Sequence, residues 1–98
     1  MAGRRRDGHG VVLTDHVFDK VRSIDMTLAE FEVLLDGGEV IEELPVQDGI
    51  KELVLIIDWS RPLHVVVVID HVREEERIVT VYEPDEDRWS ADFRVRRP

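Results

Sequence analysis

Apolar and polar positions change rhythm once along this chain, near residue 38: helical spacing before it, alternation after it. From His16 onward, Val17, Phe18, Val21 and Ile24 fall on one helical stripe, with Asp19, Lys20 and Arg22 outward. That stripe predicts a short helix, for which Thr14 or Asp15 supplies the N-cap acceptor. A second helix is predicted over 27–35, where Leu28, Phe31, Leu34 and Leu35 keep the same spacing. Thr27 and Glu30 stand three apart as a capping box, and Asp36-Gly37-Gly38 offers residues able to take positive φ and stop the helix. Ahead of both, 11–13 reads as a short edge strand or an extended lead-in. Residues 1–10 are polar and glycine-rich with nothing to bury, and read as a disordered leader to a single domain over 11–98.

Beyond Gly38 β-branched residues become dense, the mark of strands. Residues 39–44 predict a strand ended by Pro45, and Gln47-Asp48-Gly49 a turn whose glycine can take positive φ. Over 51–59, Leu53, Leu55, Ile57 and Trp59 share one face. The run 63–70 has a continuous valine centre, which suits a central strand covered on both sides. Its second face carries His64, Val66, Val68 and Asp70. A charged hairpin over 71–76 leads to a strand over 77–82, read with Ile78, Thr80 and Tyr82 on one face and Val79 and Val81 on the other. In the tail, Trp89 and Phe93 are four apart, which fits one helical turn covering the second face, or else a strand. The expected fold class is α+β, two N-terminal helices packed on an antiparallel sheet of about four strands.

Charge narrows the functional classes. The chain has 98 residues and a formal charge of −9. All 22 acidic side chains but only seven of the 13 cations lie between residues 7 and 93, which leaves that body at −15. A surface of that sign repels phosphate backbones and anionic lipid heads, so RNA is disfavoured as a partner and a membrane is not expected. With no cysteine, no disulfide framework or thiolate metal site can be drawn. The N-terminus lacks the long apolar run of a signal peptide, and 65–69, the longest apolar stretch, is far short of the ~20 residues a spanning helix needs. A cytoplasmic protein is the expectation.

Three stretches are more particular than a generic sheet: Gly38-Glu39-Val40-Ile41-Glu42-Glu43, Arg61-Pro62-Leu63-His64-Val65-Val66 and Ile78-Val79-Thr80-Val81-Tyr82-Glu83-Pro84-Asp85. With His16 before the first helix, they resemble the bacterial domain of unknown function 4258 family over about residues 14–89. The resemblance implies a RelE-like outline, shared with the ParE and BrnT group of small toxins from toxin–antitoxin pairs. It also implies an RNA endonuclease or translation inhibitor with an antitoxin-like protein partner. The family opens on His-Ala-x-x-Arg-Met-x-x-Arg-Gly-Ile-Ser, which His16 matches. Lys20 stands where that pattern has its first arginine and Ile24 where it has its second, and neither offers the planar bidentate fork that suits phosphate.

Candidate catalytic residues are His16, at a helix start where a neutral imidazole can act as a general base, and His64. Candidate binding residues are Lys20, Arg61, Trp59 and Tyr82. Trp59 offers a stacking surface, Arg61 a charge that could pair with Asp58, and Tyr82 a hydroxyl beside His64. Each has a plainer alternative: a capping histidine, a core histidine, a braced turn. His71 with Glu74, Glu75 and Glu76 reads as a solvated hairpin tip, so no metal and no cofactor are expected. Were the chain an enzyme, it would be a metal-independent endoribonuclease that positions the RNA's own 2′-hydroxyl. The other reading, favoured by charge, is a non-catalytic protein-binding module that offers a sheet edge or acidic face to a partner, with a second copy of itself among the candidates.

Overall fold

In the computed structural model, residues 10–98 are described. The expected leader falls on residues 1–9, outside the described residues, except Gly10, which opens a strand. The elements run β1 (Gly10–Leu13), α1 (Asp15–Ser23), α2 (Leu28–Asp36), β2 (Glu39–Val46), β3 (Gly49–Ile56), β4 (Leu63–Asp70) and β5 (Glu75–Tyr82). Both helices start where capping chemistry says they should. The Thr14 hydroxyl accepts the Val17 amide and donates to the Val79 carbonyl. At α2 the Thr27 hydroxyl takes the Glu30 amide at 3.1 Å while the Glu30 carboxylate takes the Thr27 amide at 3.0 Å.

The five strands lie in the order β1-β5-β4-β3-β2. From β2 to β5 the chain is an antiparallel meander, but β1 runs parallel to β5, from Gly10 opposite Glu75 to Leu13 opposite Ile78. The sheet is therefore mixed and five-stranded, which corrects the expected antiparallel sheet of about four strands and its RelE-like outline. Direction was hidden because β1 is only four residues long and its partner lies 65 residues further on, so no local turn signals the pairing.

Both helices pack on one face of this sheet. There Val17, Val21, Met26, Phe31 and Leu35 meet Val54, Ile56, Leu63, Val65, Val67, Ile69, Ile78 and Val81 in one buried cluster. A bulge brings Ile78 into it. Val66 pairs with Thr80 and Val67 with Ile78, so Val79 is skipped and the alternation changes phase. Ile78 consequently joins Val81 and leaves the Thr80–Tyr82 face predicted for it. Other boundaries shift as well. Pro45 sits within edge strand β2 instead of ending it, and β3 stops at Ile56, short of Trp59. In the β2–β3 turn the left-handed residue is Asp48, at φ 63°. Gly49 is needed for space, since a Cβ there would stand 1.7 Å from the Ile69 carbonyl oxygen.

The tail is neither a helix nor a continuous strand. The Asp85 carbonyl accepts the Arg88 and Trp89 amides, Ser90 bonds the Val95 carbonyl, and a lone antiparallel bridge joins Trp89 to Arg96. This narrow loop is laid on the second sheet face. Among the described residues, no helix is long and apolar enough to cross a membrane.

Candidate functional site

Alternation puts Glu39, Glu42 and Leu44 of β2, Lys51, Leu53 and Leu55 of β3, His64, Val66 and Val68 of β4, and Arg77, Thr80 and Tyr82 of β5 on the second face. His64 lies at its covered end. The imidazole has no solvent exposure, and both ring nitrogens are engaged: Nδ1 is 3.0 Å from the Tyr82 hydroxyl and Nε2 is 2.9 Å from the Phe93 carbonyl oxygen. A carbonyl can only accept, so Nε2 carries the proton and Nδ1 accepts from the tyrosine. The Trp89 ring stands edge-on to the imidazole at 4.3 Å, and the Arg96 guanidinium lies 4.7 Å from the Trp89 centroid. Arg96 in turn holds Glu42 through two bonds of 2.8 and 3.0 Å, while Arg94 reaches Glu39 at 2.9 Å.

Burial acts on the titrating groups here. Desolvation holds the His64 pKa below its ordinary 6.5, against the opposing pull of the Phe93 carbonyl. It also raises the Tyr82 hydroxyl above its usual range. The arginines go further toward permanent charge, through their hydrogen bonds to Glu42 and Glu39. A general base needs a lone pair that a substrate can reach, and the Nδ1 lone pair of His64 is occupied and sealed beneath Trp89.

The predicted site residues divide into three places. His64 and Tyr82 do meet, as a hydrogen-bonded pair. His16 and Lys20 lie on α1, across the sheet from them, with His16 exposed; the two candidate catalytic histidines thus share no cleft. Trp59 and Arg61 occupy the β3–β4 connection. There Arg61 lies 5.2 Å from the Trp59 ring centroid and pairs with Glu83 at 3.3 Å, in place of the Asp58 pairing foreseen. Trp59 is half-buried against the helix-side core, so this cluster braces a turn. Among the described residues, no three His, Cys, Asp or Glu side chains gather as a metal site would require.

Next to the tail, the second face is open. A groove of about 490 Å³ is lined there by Leu44, Leu53, Val66 and Tyr82, with Glu42, Lys51 and Arg96 among its polar groups. Leu44 is 58 % exposed, and Val66 and Val68 are only half-buried. Sequence reasoning missed Leu44 and Lys51, and took Arg96 only as part of a basic tail, 94–97, that could face RNA. The strand alternation could have put Leu44 beside Lys51, but nothing in the tail announced that Arg96 would reach Glu42. Comparison with protein-family models, with curated proteins and with solved structures returns no match.

Proposed function

We propose that this chain is a non-catalytic protein-binding module that receives its partner on the open half of the second sheet face. The observation that carries this reading is the state of His64, whose two nitrogens are both spent on holding the tail while an apolar groove stands open beside it. A histidine used in this way gives a substrate nothing to bond. The neighbouring groove has what a protein interface uses: aliphatic and aromatic lining with charged groups at its margin. It also adjoins β2, an edge strand whose outer side has no strand neighbour among the described residues.

Two measurements test the reading together. Induced expression in a bacterial host should leave growth unaffected, and purified protein should leave RNA uncut. A photo-crosslinking residue at Val66 should give a discrete protein adduct, lost with Leu44→Asp, whereas the same residue at Val33 on α2 should not. Growth arrest or RNA cleavage abolished by His16→Ala, or no adduct from Val66, would contradict it.

A further inference from the structure

The molecule is strongly acidic, yet the second sheet face is not. Its strands contribute the carboxylates Glu39, Glu42, Asp70 and Glu75 and the cations Lys51 and Arg77. From the tail Arg94 and Arg96 close on Glu39 and Glu42, and Arg77 bonds Glu75 at 3.1 Å. Counted with the whole tail, which also brings Arg88 and Arg97 and the carboxylates Asp85, Glu86, Asp87 and Asp92, the face carries six cations against eight carboxylates, with Asp92 3.6 Å from Arg94. Over the described residues there are ten cations and 21 carboxylates, so nine of the eleven excess negative charges lie elsewhere: on the helices, the turns and the helix-side strand positions Glu43, Glu52 and Glu76. Apolar exposure follows the same division. The open half of the face presents Leu44, Val66 and Val68, with Thr80 opposite Val66 and Lys51 opposite Val68 in the register.

From this partition of charge we infer that the occupant of the open face is a second copy of this chain, docked sheet face to sheet face. The inference rests on the protein-binding reading above and names its partner. An isologous two-fold contact needs a surface complementary to itself, which an apolar strip flanked by nearly balanced charges supplies and a strongly acidic surface does not. Two bodies each carrying a large negative excess repel one another on every other approach. Stacked sheets sit about 10 Å apart, so the half-buried valines of one copy would fill the space over those of the other, in line with the packing of aligned sandwiches. The tail, standing proud on the covered half, limits the contact to the open half and so fixes its position.

Sedimentation equilibrium on the full chain tests this, over about a hundredfold range of concentration that brackets micromolar dissociation constants. The mass should rise from monomer to dimer and stop there. Val66→Glu and Val68→Glu should each weaken dimerisation by about tenfold or more, while Val33→Glu, equally charged but on α2, should leave it unchanged. Both strand variants replace half-exposed side chains, and an unchanged far-ultraviolet spectrum and melting temperature confirm that they fold. Added salt should tighten the dimer, because it screens repulsion between the acidic bodies more than it weakens a face whose charges nearly cancel. A monomer at every concentration, or a dimer broken by Val33→Glu and not by Val66→Glu, overturns the proposal. A Val66 crosslink of a mass other than twice the chain overturns it too, yet leaves the binding-module reading standing; a monomer with no Val66 adduct removes both.

Discussion

The two faces of the sheet are closed by different physics. On the helix side, Phe31, Leu35, Val17 and Val21 cover valines and isoleucines, and closure is chiefly by apolar area, with the carboxylates Glu52 and Glu76 buried beside it. On the other side the cover is a loop with little regular structure, held by directed contacts: Tyr82 to His64, His64 to the Phe93 carbonyl, Trp89 against the imidazole, Arg96 to Glu42. The first cover spreads over its face; the second reaches only as far as its bonds do, and leaves the groove. A polar clasp fixes a short segment in one position, whereas two helices with an apolar stripe need only the right shape.

The comparison is broken most severely at the helix face. Phe31→Ala should cost about 3 to 5 kcal/mol of global stability, read by urea unfolding, because it empties a site with no solvent access. Trp89→Ala should come next, at about 3 kcal/mol, and its loss should be local: amide exchange should accelerate over residues 85–97 while β3 and β4 keep their protection. If Trp89→Ala lowers protection across the whole sheet equally, the two covers are one cooperative unit and the contrast is mistaken.

These two sites also show how unequally the sequence could be read. Phe31, Leu35, Val17 and Val21 are legible because helical spacing is local, and both caps are legible because Thr14 and Thr27 act within three residues. Strand faces were legible wherever alternation was regular, as at His64 and Val66. It failed at Ile78, where the Val79 bulge changes the phase without any glycine or proline to announce it. The parallel pairing of β1 and the clasp around His64 are long-range, joining residues 65 and 29 apart through contacts that no spacing rule contains. The proximity of His64 to Tyr82 was legible from two neighbouring strands; that a carbonyl from the tail would take the second nitrogen was not.

Smaller effects sharpen the contrast. The folded chain holds His64 neutral more strongly than the unfolded chain does, so the clasp contributes its full stability above pH 6.5 and loses it progressively as pH falls through the depressed folded value. Unfolding free energy at pH 7.5 should therefore exceed that at pH 5.5 by more in the wild type than in His64→Gln. The difference between the two slopes isolates this ring from the many surface carboxylates. Arg96→Ala should have the least effect on stability, about 1 kcal/mol or below, since its pair with Glu42 is largely exposed; the loss should shrink further in high salt.

The assignment of His64 as a clasp rather than a catalyst rests on its ring chemistry, which two-bond proton–nitrogen correlation spectroscopy of the imidazole reads directly. The account predicts a neutral ring with its proton on Nε2, Nδ1 hydrogen-bonded as an acceptor, and titration only below the ordinary histidine range. A proton found on Nδ1, or a ring that titrates at 6.5 as a solvated imidazole would, contradicts it and returns His64 to the set of groups free to act on a ligand.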